Sequence, residues 1–134
     1  MACYHQFGMS RYLLAAKKFH QDALAEFTSA GANGQDTKIR QAAEKGWGAV
    51  VQATNHLLEK QKFKVPRGTR RRLELLLELE DRDSRVRKAG IADKYRVFLH
   101  TLHVECFYDG TYSVKIVQRE LRRLGDFIRA VQSF

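Results

Sequence analysis

Apolar residues recur at steps of three and four along most of this chain, the pattern of amphipathic helices that turn one stripe toward a core. Ser10 is suited to cap a first helix, in which Leu13, Ala16, Phe19 or His20, Ala23, Phe27 and Ala30 form the stripe up to about residue 30. The glycines of residues 31–34 then end it. A second stripe follows a cap at Asp36 or Thr37 and runs to about Glu59: Ile39, Ala43, Trp47, Val50, Thr54 and Leu57 or Leu58. Gly46 and Gly48 flank Trp47 within it. Each costs up to about 1 kcal/mol of helix propensity relative to Ala, so either something approaches that backbone closely or the helix tolerates them.

Residues 60–68 carry the single proline, Pro66, and read as a connecting loop, after which Thr69 is placed to cap a short third helix that dissolves into the charged run 80–83. For residues 81–90 an exposed loop and a ragged helical extension fit the pattern equally well. Helical periodicity resumes over 91–108 and closes at Asp109 and Gly110, a strong C-cap signal. Ser113 caps a last helix whose inward positions are Val114, Val117, Leu121, Leu124, Ile128 and Val131, with Arg119, Glu120, Arg122 and Arg123 facing away. No segment alternates as a strand does. The expected fold is all-α: an antiparallel, up-and-down four-helix bundle with one additional short helix, forming a single domain over 10–134 behind a tail of residues 1–9.

The whole-chain quantities narrow the function classes. A chain of 134 residues supports one core, and 44% hydrophobic residues with one Pro rule out disorder and low-complexity scaffolding. No stretch approaches the roughly 20 apolar residues of a membrane span, and the N-terminus lacks the arrangement of a secretion signal, so a soluble cytoplasmic protein is expected. Cys3 and Cys106 have no metal-ligand spacing, and residues 31–34 lack the Lys-Ser/Thr of a phosphate loop, so neither a metal nor a cofactor is expected. Lys and Arg number 24 against 15 Asp and Glu, a formal charge of +9 that favours polyanionic partners. Lys62, Lys64, Arg67, Arg70, Arg71 and Arg72 form the densest basic cluster, with others at 82–88 and 119–123. Such groups either contact phosphates or make up a solvated helix surface. Tyr108 and Tyr112 either stack bases or pack in an interface.

The chemistry concentrates in residues 95–108. On an α-helical wheel Arg96 and His103 lie within about 20° of each other and His100 about 40° from Arg96, flanked by apolar residues, while Lys94, Thr101 and Glu105 lie nearly opposite. Burying Arg96 alone would cost several kcal/mol. The placement therefore calls for a carboxylate, a second subunit or a wet cleft that receives an anion. Histidine exchanges protons near neutral pH and arginine neutralises charge on a phosphate. The competing reading is structural, with these side chains knitting a core or a dimer.

Arg96, six intervening residues and His103 resemble the arginine, four-to-six residues, histidine motif of HEPN domains. The run from Leu102 to Gly110, followed by a helix, is similar to a standalone prokaryotic branch of that superfamily, and the order of elements agrees from about residue 10 to the end. The resemblance implies a homodimer in which Arg96 and His103 of both copies line a shared cleft that binds RNA or a nucleotide. In active members that cleft cleaves RNA without metal, as toxin-type RNases do, with the 2′-hydroxyl as nucleophile, His103 handling protons and Arg96 stabilising the phosphate. Val97 departs from the polar residue often found after the motif arginine, and His100 is a candidate second polar group in the cleft. The resemblance also includes non-catalytic partners or substrate-binding subunits of minimal nucleotidyltransferases, which stands as the alternative function.

Overall fold

The computed structural model describes residues 9–31 and 34–134. Among them 83% are helical and no strand occurs, in agreement with the all-α expectation. The helices are α1 (Arg11–Ser29), α2 (Asp36–Lys60), α3 (Thr69–Arg82), α4 (Ser84–Ala89), α5 (Ile91–Phe98) and α6 (Val114–Ser133). The chain continues α5 without a break into a π-helix, Leu99–Asp109.

The termini follow local chemistry where a side chain can cap. The Ser10 hydroxyl accepts from the Leu13 amide at 3.1 Å, and that of Ser113 accepts from the Ile116 amide at 3.3 Å. Each satisfies one of the amides a helix start leaves unpaired. Three expectations fail at this level. Gln35 and Gly68, not Asp36, Thr37 or Thr69, occupy the capping positions of α2 and α3, and neither helix start has a side-chain cap. Residues 81–90 are neither loop nor ragged extension. Asp83 ends α3 and its carboxylate accepts from the Arg85 amide at 3.0 Å, nucleating α4, which Gly90 closes in the left-handed conformation at φ 67°. At the end of α2, Lys62 adopts φ 71° while its amide and that of Phe63 reach back to Glu59 and Leu58 carbonyls at 3.0 and 2.9 Å. This is a Schellman closure with lysine where glycine is usual.

α2 is the hub of the packing: it meets α1, the π-helix, α6, α3 and α5, and thirteen of its 25 residues are buried. Small residues along it (Ala42, Ala43, Gly46, Ala49 and Ala53) let neighbouring helices approach, while Leu57 and Leu58 with Leu76, Leu79, Tyr95, Phe98, Leu121 and Phe127 supply the bulk of the core. Each large side chain so buried contributes about 1.5–3 kcal/mol. α1 places Leu13, Ala16 and Ala23 inward, with Ala30 at its C-cap, as expected. Of the pair Phe19 or His20 it is His20 that turns toward α6, its Nε2 2.8 Å from the Leu121 carbonyl, while Phe19 is exposed. On α6 two positions are reversed. Val114 is exposed, and Glu120, expected to face away, is buried with Oε1 accepting from Arg123 at 3.1 Å and Oε2 without a partner.

The two glycines beside Trp47 have different reasons. A Cβ at Gly46 would lie 2.6 Å from Leu121 Cδ2 and 3.3 Å from Leu102 Cδ1, whereas one at Gly48 would meet the Phe19 ring at an ordinary 3.4 Å. Gly46→Ala is therefore expected to destabilise the protein by about 1–2 kcal/mol through overpacking. Gly48→Ala is expected to stabilise it by up to about 1 kcal/mol through helix propensity. Urea unfolding midpoints of the two variants check the opposite signs.

Candidate functional site

Asp36, Arg40 and Glu44 stand at steps of four on α2, with Trp47 three residues on, and so share one helix face. That face meets the π-helix. Arg40 Nε and Nη2 donate to the Phe107 carbonyl at 3.1 and 2.7 Å, and Nη2 also reaches the Tyr108 carbonyl at 3.1 Å. A guanidinium thus neutralises the carbonyls left unpaired at a helix C-terminus. Gly110 turns the chain there at φ 68°, and a side chain on it would press on the same guanidinium at 3.2 Å. Beyond the turn the Tyr112 hydroxyl donates to Asp36 at 2.6 Å. Burial, and then this bond, push the Tyr112 phenol up to about 12.

Glu44 lies one helical turn below Arg40 on the same face. Its Oε1 and Oε2 stand 2.8 and 3.2 Å from His103 Nδ1. A carboxylate only accepts, so Nδ1 carries a proton; in the neutral ring Nε2 then keeps its lone pair, the form that takes a proton from a reacting group. The imidazole stacks between Trp47 (5.7 Å, 26°) and Phe107 (6.2 Å, 15°), with Tyr108 edge-on at 5.5 Å. Ring and carboxylate are each about a third exposed or less, while the Tyr108 ring beside them is largely exposed. The result is an oriented, partly exposed imidazole on an aromatic platform.

Arg96 is placed differently from His103. The i→i+5 bonding of the π-helix widens each turn by close to one residue, so seven steps from Arg96 no longer return to the same face. Arg96, His100, Val104 and Tyr108 instead form an exposed series at steps of four, with Val97 and Asp109 exposed beside it. Arg96 Nη1 donates to Asp93 at 3.4 Å, and His100 pairs with Glu105, five residues on. His103 turns inward to Glu44. The structure therefore sets Arg96 and His100 on an outer ridge and His103 behind it, with the exposed Tyr108 ring edge-on to His103.

Lys62, Lys64, Arg67, Arg70 and Arg71 are all exposed around the α2–α3 connection. Arg72 is not among them. It is buried at 5% exposure, donating to Asn55 Oδ1 at 2.9 Å, the Tyr95 hydroxyl at 3.4 Å and the Pro66 carbonyl at 3.3 Å. Sequence reading did not single out Glu44 or Arg40, and it took Trp47 only as core. Their one visible signal is a step-of-four polar series beside the apolar stripe of α2.

Two further titratable groups, Cys106 and His56, are buried. Burial pushes the Cys106 thiol up to about 12, which makes it a poor nucleophile at neutral pH; Cys3 lies outside the described residues. His56 is buried at 2% exposure, its Nδ1 2.7 Å from Ser10 Oγ and its Nε2 without a partner. Among the described residues no three His, Cys, Asp or Glu side chains group as a metal site, and no helix is long and apolar enough to cross a membrane.

Fold and site together define a class: a small, strongly basic, all-helical protein that carries a carboxylate–imidazole dyad against its central helix. Within that class the chain belongs to the Archaeal PaREP1/PaREP8 family, whose profile matches residues 12–128 and so spans both halves of the dyad. A search of curated proteins and a search of solved structures find no match.

Proposed function

We propose that this chain is a HEPN-like up-and-down helical bundle that acts as a homodimeric, cytoplasmic RNA- or nucleotide-binding protein and cleaves RNA without metal. The observation that carries the reading is the Glu44–His103 dyad at 2.8 Å, because it fixes the tautomer that general-base chemistry requires. In the proposed step His103 Nε2 takes the proton of a 2′-hydroxyl as that oxygen attacks the adjacent phosphorus. The bond to the 5′-oxygen breaks, and the imidazolium returns the proton to the departing oxygen, leaving a 2′,3′-cyclic phosphate. Glu44 is the positioning residue, stabilising the imidazolium while it exists.

The second copy supplies what the outer ridge lacks. Val97 and Val104 are 42% and 37% exposed beside Arg96 and His100, a mixed apolar and cationic strip suited to a two-fold contact. Closure of that contact would bring Arg96 over a phosphate bound at His103, and the exposed Tyr108 ring would stack a base. With a chelator present, purified protein is expected to cut single-stranded RNA to fragments ending in cyclic phosphate, and a 2′-deoxy nucleotide at the cut position is expected to block the cut. RNA left intact under excess protein would reduce the reading to binding alone.

A further inference from the structure

The α2–α3 connection forms a groove of about 420 Å³ that the dyad does not use. Phe63, Val65, Pro66 and Leu75 make its apolar lining, and Lys64, Arg67 and Arg71 its cationic rim. Arg71 pairs with Glu74 at 3.4 Å, whereas among the described residues Lys64 and Arg67 form no ion pair. Behind the lining lies Arg72, held to the Pro66 carbonyl and to two other acceptors, all of them neutral. A buried guanidinium without a counter-charge is costly to the fold, and in a low-dielectric surrounding its potential reaches the groove poorly screened. α3 also begins here with no acidic residue in its first turn. Arg70, Arg71 and Arg72 thus stand where the helix macrodipole disfavours cations. Positive charge from four directions around an apolar floor is an arrangement that an anion with an apolar body relieves.

We infer that this groove binds a phosphate monoester carried on a nucleobase-bearing body, the phosphate among Lys64, Arg67 and Arg71 and the base on the lining that Phe63 and Pro66 provide. Arg82, stacked 4.3 Å over Phe63, holds the ring in place. The inference rests on the RNA or nucleotide reading above and gives it a second site. Two sources carry this chemistry: a free nucleoside monophosphate, and the 5′-terminal nucleotide of an RNA strand.

The test measures binding of a 3′-labelled, uncleavable 2′-O-methyl oligonucleotide by fluorescence anisotropy, with either a 5′-phosphate or a 5′-hydroxyl. The wild type is expected to prefer the phosphorylated strand by about tenfold. Lys64→Ala/Arg67→Ala, both exposed side chains, with folding checked by circular dichroism, is expected to bring that ratio close to one, and His103→Ala to keep it. Because the strand is uncleavable, the ratio reads the groove even if the nuclease reading fails. Competition by adenosine monophosphate assigns the groove to free nucleotides; a persistent ratio without competition assigns it to strand ends. Equal binding of both strands with no competition by the monophosphate overturns the proposal, as does inorganic phosphate competing as well as the nucleotide.

Discussion

On the proposed reading, His103→Ala is expected to lower RNA cleavage by about two to four orders of magnitude, the range over which a positioned general base acts. The size of the effect follows from how the imidazole is held. Trp47 and Phe107 fix the ring plane, Glu44 fixes the proton on Nδ1, and Nε2 is the only ring nitrogen left to accept. Glu44→Gln tests the orienting role separately. The amide keeps the shape but not the charge that stabilises an imidazolium, so kcat is expected to fall about tenfold to a hundredfold while KM for RNA changes little. A purely structural role for Glu44 would instead move stability and KM together. Arg96→Ala would remove both the proposed phosphate contact and a residue of the proposed dimer ridge, so it is expected to weaken RNA binding and its salt dependence as well as turnover. Equal cleavage by the wild type and His103→Ala, with both proteins folded and in the same oligomeric state, sinks the catalytic assignment.

How much of this was legible in the chain depends on the range of the interaction. Caps at Ser10 and Ser113 and the turn at Gly110 are visible because the side chain and the amide it satisfies are neighbours in sequence. The inward stripe of α2, Trp47 included, is visible because a 3.6-residue period dictates it. The helix α4 is harder to see, since six residues carry too little periodicity to separate them from a charged loop, and only the Asp83 cap and the left-handed Gly90 define it. Glu120 reads as a surface residue among arginines, yet its neighbours on the wheel, Val117 and Leu124, draw it inward. The largest departure concerns Arg96 and His103. Their seven-residue spacing puts them together only while the helix is α, and nothing local marks the change to i→i+5 bonding at Leu99. Glu44 stands 59 residues from its histidine, a separation at which pairing is decided by how α2 and the π-helix pack. Chemistry-bearing residues could thus be nominated from the chain, but their pairing could not.

The second large effect concerns stability. Between pH 7.5 and 4.5 the protein loses about 2–3 kcal/mol through His56 alone, a sizeable part of the stability of a domain this size. Burial first, then the neighbouring charges of Lys60 and Lys17, hold the folded-state pKa of His56 down at about 4, against 6.5 for a free histidine. Below pH 6.5 the unfolded chain takes up a proton that the native state refuses until about pH 4. Over that window the unfolded state binds more protons, so stability falls as pH falls. Above 6.5 both states are neutral and the contribution is fully present. Nothing in the pocket welcomes the charged form: Ser10 already serves Nδ1 and the Leu13 amide, Nε2 faces no acceptor, and Lys60 and Lys17 repel a cation. His56→Gln removes the titration while retaining an oxygen able to accept from Ser10. Urea unfolding across pH 4.5–7.5 is expected to show a flatter profile for this variant than for the wild type, by the same 2–3 kcal/mol. Parallel profiles would mean that His56 is charged in the native state after all, and that a carboxylate or water reaches its Nε2.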